Sequence, residues 1–351
     1  MHDLTGFGTN PGALKARYYL PATIADSAPL VVVLHGCTQN ASGYDRGAGW
    51  SQLADEHGFA LLFPEQQRSN NPNLCFNWFS PIDSRQDGGE AQSIRQMIAA
   101  MVATYAIDER RMFVTGLSAG GAMASIMLAR YPDLFAGGAI IAGLPFGAAA
   151  SVGDAFARMR GDGYPSDAAL GALVRDASDH DGPWPTISIW QGSADKTVAP
   201  SNAQRIIAQW QAVHDVGDIL PERAVIEGSD RLTWRDRAGR PVIESYIIPG
   251  LGHGTPLHTI GPDGCGASAP YMLEAGISST RHIARAWGLA LNPPKAKHGT
   301  GPSDTVDRRT PSIAAPDKPM LARAPQPVGE QRPTGISAII EDALRKAGLL
   351  R

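Results

Sequence analysis

Between residues 30 and 289, short runs that are almost wholly apolar alternate with runs whose apolar residues recur at helical spacing. This alternation restricts the fold more than any other feature, because it calls for a parallel sheet covered by helices on both faces. The strand-like runs are residues 30–34, 59–63, 112–115, 138–142, 186–190 and 242–248. Each is nearly continuous in apolar residues, the pattern of a strand buried on both sides. Ile94, Met97, Ile98, Met101, Val102 and Tyr105 share one helical face and predict a crossover helix before the 112–115 strand. The expected fold class is α/β, with a mostly parallel central sheet.

Three segments depart from this pattern. Residues 147–184 are rich in Ala, Gly and Asp and predict a helical cap or insertion between two strands. Residues 231–248 predict two strands joined by a turn at Ala238-Gly239. Beyond residue 291 the composition shifts, and residues 293–334 hold nine of the 27 prolines with few large apolar side chains. Such a stretch buries too little surface to offset its chain entropy. The domain reading is therefore a catalytic domain over 1–291, a disordered Pro-rich linker over 292–334, and a short amphipathic helix over 335–351. Ile336, Ile339, Ile340, Ala343, Leu344 and Ala347 form the apolar face of that helix. Alone it would be marginal in water, so a docking partner for it is expected.

A formal net charge of −3 excludes polyelectrolyte binding to nucleic acid as a default. No stretch of about 20 uncharged apolar residues occurs, so no membrane-spanning helix is expected. The opening residues lack the basic and apolar regions of a secretory signal, and read from Met1 the chain would be cytoplasmic. Its three cysteines, Cys37, Cys75 and Cys265, are too few for a disulfide scaffold.

Gly116-Leu117-Ser118-Ala119-Gly120 has the G-x-S-x-G form of a nucleophile elbow. The five letters are weak evidence in a glycine-rich chain, but a strand precedes them and a helical run from Gly121 to Arg130 follows, which is the context the motif requires. A serine hydroxyl needs a base to take its proton, and on this scaffold an acid and then a histidine follow it in chain order. His253 stands among glycines directly after the 242–248 strand, whereas His258 lacks that setting, His282 lies on a helical run and His298 lies in the linker. Asp195 follows the 186–190 strand through a small-residue turn. Asp176, Asp179 and Asp181 precede that strand, and Asp215, Asp218 and Glu222 follow the next helix. Ser118, Asp195 and His253 are thus the expected catalytic residues.

The developing oxyanion needs N–H donors. One is expected from Ala119; the other is expected from Cys37 or Thr38, in the loop closing the 30–34 strand. His35 reads as a hydrogen-bonding residue of that turn. His35, Cys37 and Cys75 lack the pairings of a metal site, and neither metal nor cofactor is expected. Phe76, Trp78 and Phe79 are expected to line the acyl pocket, and Asp87 and Glu90 to serve as charges at a helix N-terminus.

Taken together, Val-Val-Leu-His-Gly-Cys-Thr-Gln at 32–39, Asn-Leu-Cys-Phe-Asn-Trp-Phe at 73–79, Gly-Leu-Ser-Ala-Gly-Gly at 116–121, Gly-Ser-Ala-Asp at 192–195 and Gly-His-Gly-Thr-Pro-Leu at 252–257 carry a resemblance. From about residue 5 to 289 the chain resembles the polyhydroxybutyrate (PHB) depolymerase family of esterases, related to feruloyl and acetylxylan esterases. The resemblance implies an α/β-hydrolase fold, a triad of Ser118, Asp195 and His253, an oxyanion contact near Cys37, a Cys37–Cys75 disulfide, and export from the cell. Many extracellular depolymerases carry a polymer-adsorbing domain after a linker; here the linker leads to a short candidate helix, which suits oligomers or soluble esters.

The expected activity is that of a serine carboxylester hydrolase cleaving poly- or oligo(3-hydroxyalkanoate) through an acyl-enzyme. Feruloyl or acetyl esters of plant polysaccharide are the alternative substrates. A serine peptidase and a non-catalytic binding protein are the competing classes.

Overall fold

The computed structural model of the chain describes residues 1–24 and 27–290. The linker and terminal helix expected over 292–351 lie outside the described residues. The strands are β1 (His2–Asp3), β2 (Lys15–Tyr19), β3 (Ala28–Leu34), β4 (Ala60–Glu65), β5 (Ile107–Leu117), β6 (Gly137–Ile141), β7 (Thr186–Gly192), β8 (Glu222–Ile226), β9 (Ser229–Arg235), β10 (Pro241–Ile248), β11 (Thr255–Leu257) and β12 (Met272–Glu274). The helices are α1 (Ala41–Ala48), α2 (Trp50–His57), α3 (Gly89–Thr104), α4 (Ala119–Arg130), α5 (Val152–Met159), α6 (Asp167–Arg175), α7 (Ser201–His214) and α8 (Ser279–Ala286).

Ten strands form one sheet in the order β1-β2-β4-β3-β5-β6-β7-β10-β9-β8. The six from β4 to β10 run parallel, while β2, β9 and β8 join antiparallel to their neighbours. All six strand-like runs of the sequence lie in the parallel part, which is the mostly parallel α/β sheet expected. Strand β3 shows why these runs are continuous: Leu30, Val32 and Leu34 enter one core cluster, and Val31 and Val33 the other. Side chains alternate across a strand, so a strand covered on both faces has no polar side. Ile94, Met97 and Ile98 of α3, Met123 and Met127 of α4, and Ile206 and Trp210 of α7 complete the first cluster. Tyr44 of α1, Trp50 and Leu53 of α2, and Ile283 of α8 complete the second. Burying one such side chain contributes roughly 1.5–3 kcal/mol.

The hairpin expected over 231–248 is β9–β10, closed by a turn in which the Asp236 carboxylate accepts the N–H groups of Ala238 and Arg240, each at 2.9 Å. Residues 147–184 hold α5 and α6. Helix α6 lies against α7, and the buried Gln209 side chain on α7 donates to the carbonyls of Phe146 and Leu170 at 3.0 and 2.9 Å. Strands β2 and β8 carry no continuous apolar run, and their pairings come from β4 and β9.

Candidate active site

Ser118 sits between β5 and α4 with φ 57° and ψ −117°, a backbone conformation that L-residues rarely adopt. Two glycines make the turn sterically feasible. A Cβ at Gly116 would stand 2.3 Å from the Gly120 carbonyl oxygen, and one at Gly120 would stand 2.4 Å from the Leu34 carbonyl oxygen. The turn is therefore compressed against itself and against the end of β3. The Ser118 N–H donates to the Ile141 carbonyl at 2.9 Å, which ties the turn to β6.

The imidazole and the carboxylate come from neighbouring strand ends. β7 ends at Gly192 and β10 at Ile248, side by side in the sheet. The Ser193 and Ala194 N–H groups donate to the carbonyls of Ile248 and Leu251, each at 3.0 Å, so the two loops are bound to each other. His253 Nε2 lies 2.9 Å from Ser118 Oγ, and its Nδ1 lies 2.7 Å from Asp195 Oδ2. Asp195 is 4% exposed. Its Oδ1 accepts the N–H groups of Thr197 and Val198 at 2.8 and 2.9 Å, and Oδ2 also accepts from Gln191 Nε2 at 3.1 Å. A carboxylate with its lone pairs fixed by such donors can hold a neighbouring imidazole in the tautomer that leaves Nε2 free to accept a proton. The Tyr271 and His253 rings meet at 79°, with centroids 6.1 Å apart.

The remaining candidates surround the end of β3. The Ala119 N–H opens α4, where helix dipole and free N–H groups favour negative charge. Among the described residues, the N–H groups of Ala119 and Cys37 have no protein acceptor. Thr38 is different. Its N–H donates to the Asn73 carbonyl at 2.7 Å, so Thr38 is corrected from donor to anchor and Cys37 is left as the candidate donor of this loop. Cys37 is disulfide-bonded to Cys75, which joins this loop to residues 66–80.

The three aromatics after Cys75 have different surroundings. Phe76 is fully buried with its ring 5.0 Å from that of His35, a core residue with no surface to offer an acyl group. Trp78, 8% exposed, belongs to the same core cluster. Phe79 packs edge-on against Trp78 at 5.8 Å and is the least buried of the three.

Glu90 is a second correction. It lies in the first turn of α3, but its side chain is fully buried and turned toward the 66–77 loop, away from solvent. Burial, with the nearby charge of Asp83, pushes its carboxyl up to about 8, against three N–H contacts that pull it down. His35 is held neutral by burial; its Nδ1–H donates to the Gly36 carbonyl at 2.7 Å and its Nε2 accepts the Gln66 N–H at 3.1 Å. Asn71, Asn73 and Gln66 are site-supporting residues that sequence reasoning passed over. The cluster of Asn and Gln beside Cys75 was the available signal. Among the described residues, no group of His, Cys, Asp and Glu is arranged to hold a metal.

Comparison with known proteins gives a consistent result. A family model described as esterase PHB depolymerase matches residues 14–231. Poly(3-hydroxyalkanoate) depolymerase C of Paucimonas lemoignei is 42% identical over 289 residues, covering 82% of this chain and 70% of that one. Acetylxylan esterase A of Aspergillus oryzae is 30% identical over 270 residues, covering 74% and 85%. The solved structure of acetyl xylan esterase from Aspergillus awamori has the same fold, with a TM-score of 0.70 at 23% identity, covering 82% of this chain and 99% of that one.

Proposed function

The chain belongs to the esterase PHB depolymerase family and is a carboxylic ester hydrolase, and from that premise we propose that Ser118 is its nucleophile, His253 its general base and Asp195 the residue that orients the base. The observation that carries this reading is the unbroken hydrogen-bonded series from Asp195 through His253 to Ser118, at 2.7 and 2.9 Å. Ser118 Oγ attacks the ester carbonyl carbon while His253 Nε2 takes its proton. The carbonyl π pair moves onto oxygen, where the N–H groups of Cys37 and Ala119 stabilise it. As that pair returns, the bond to the alcohol oxygen breaks and His253 protonates the leaving alcohol. Water then repeats the sequence on the acyl-enzyme, with His253 again as base.

The proposed substrates are oligomers and polymers of 3-hydroxyalkanoates, a reading supported by the 42% identity to a poly(3-hydroxyalkanoate) depolymerase. Acetyl or feruloyl esters of plant polysaccharide form a second reading, favoured by the 30% identity to an acetylxylan esterase. The proposed location is extracellular, since the Cys37–Cys75 disulfide persists best in an oxidising compartment. Among the described residues no helix is long and apolar enough to cross a membrane.

Two measurements test the proposal. A serine-directed phosphonate should label the wild type and leave Ser118→Ala unlabelled; an unlabelled, folded wild type refutes the assignment. Release of 3-hydroxybutyrate from oligomers, against acetate from acetylated xylan and ferulate from methyl ferulate, decides between the substrates.

A further inference from the structure

Glu90 is fully buried, makes no ion pair among the described residues, and receives three N–H donors on two oxygens. Its Oε1 accepts from Gln66 Nε2 at 2.6 Å and from Asn77 Nδ2 at 2.8 Å, while Oε2 accepts the Asn77 N–H at 2.8 Å. From these contacts, two hydrogen-bonded routes lead away. In the first, the Gln66 N–H donates to His35 Nε2 at 3.1 Å, and His35 Nδ1–H donates to the Gly36 carbonyl at 2.7 Å. In the second, Asn77 Oδ1 accepts from Asn71 Nδ2 at 2.9 Å, Asn71 Oδ1 accepts the Asn73 N–H at 2.9 Å, and the Asn73 carbonyl accepts the Thr38 N–H at 2.7 Å. The routes end on Gly36 and Thr38, the two residues flanking Cys37.

A peptide plane fixed at both neighbours has little freedom left, and the direction of the N–H between them follows. We propose that Glu90 is a positioning residue that, by organising Gln66 and Asn77, aims the Cys37 N–H at the oxyanion of the reacting ester. The inference rests on the reading of Ser118 as nucleophile and of Cys37 as an oxyanion donor. Its physical basis is geometric: both carboxyl oxygens are taken up by N–H donors at 2.6–2.8 Å, and an amide at this position would set an NH2 group against at least one of the three donors. A buried carboxyl without a cation is costly to the fold, and what this one provides is a common acceptor for two separate supports of one loop.

The test uses Glu90→Gln in the full chain, with Asn77→Ala cutting the second route alone. For each, kcat and KM are measured on p-nitrophenyl butyrate, together with the affinity for an alkyl trifluoromethyl ketone and for butyrate. The ketone adds to Ser118 as a tetrahedral oxyanion, whereas butyrate stays a planar carboxylate that forms no such adduct and reads occupancy of the acyl pocket. The expected result is a kcat lowered by about tenfold or more at nearly constant KM, ketone affinity lowered by the same factor, and butyrate affinity retained. Unchanged ketone affinity overturns the inference, as does a parallel loss of ketone and butyrate affinity. Failure of both variants to fold also overturns it, by assigning the network to the fold alone. A wild type that the ketone does not inhibit refutes the nucleophile assignment instead, which keeps the two failures apart.

Discussion

A Cβ on Gly192 would stand 2.3 Å from the carbonyl oxygen of Leu251, two residues before His253. The approach of the histidine loop to the end of β7 is thus set by the absence of a side chain. Gly192→Ala should push that loop away by several tenths of an ångström or more and lengthen the contacts of His253 with Ser118 and Asp195. A displacement of about 1 Å at a reacting group can cost about 100-fold in rate. The expected outcome is a kcat lowered by about 10- to 100-fold, measured on a soluble aryl ester. Full activity would mean that the loop tolerates the methyl group.

Asp195→Asn is expected to leave the fold intact and remove most of the activity. The Thr197 and Val198 N–H groups would hold the amide oxygen at the Oδ1 position and turn the NH2 toward His253 Nδ1. The ring must then accept at Nδ1 and carry its proton on Nε2, where it cannot take one from Ser118. A loss of about 10⁴-fold in kcat is expected, as for the same substitution in serine proteases. Stopped-flow acylation rates and a nearly constant melting temperature would verify it; a loss below tenfold would show that Asp195 does not set the tautomer.

The turn at Ser118 and the loops that bring Asp195 and His253 to it were readable because their signals are local. Gly116, Gly120 and Gly192 are each imposed by a backbone contact shorter than any side chain allows, and such contacts leave a mark in the sequence. Strand β8 left none. Val225 is 70% exposed on it, and its place is fixed by pairing with β9. The loss of Thr38 as a donor was hidden for a related reason, since its partner Asn73 is supplied by another loop. Glu90 was rightly placed at a helix start but read as an exposed dipole charge, because its burial depends on how the 66–77 loop folds over it.

His214 supplies a pH test of stability away from the site. Burial lowers its pKa to about 4 from the usual 6.5, and its Nε2–H donates to the Pro185 carbonyl at 3.1 Å. Because the folded value lies below the unfolded one, the stabilisation is complete above about pH 6.5 and is lost as the pH falls toward 4. The contribution is up to about 3 kcal/mol, at 1.4 kcal/mol per unit. In urea unfolding at pH 7 and 4.5, wild type should lose more stability on acidification than His214→Gln. Equal losses would show that the ring is not held neutral.

The disulfide joins residues 38 apart, and its removal should affect stability and catalysis by separate routes. In the chain-entropy description, opening a loop of that length costs about 4 kcal/mol. Cys37→Ala combined with Cys75→Ala should therefore lower the melting temperature markedly. The catalytic effect is expected to be smaller, because the Thr38–Asn73 and His35–Gln66 hydrogen bonds still join the two loops. The double variant, assayed well below its melting temperature, should keep its KM and lose about tenfold or less in kcat. Complete inactivation of a folded double variant would show that the covalent link, and not the hydrogen-bonded frame around it, holds the Cys37 N–H in place.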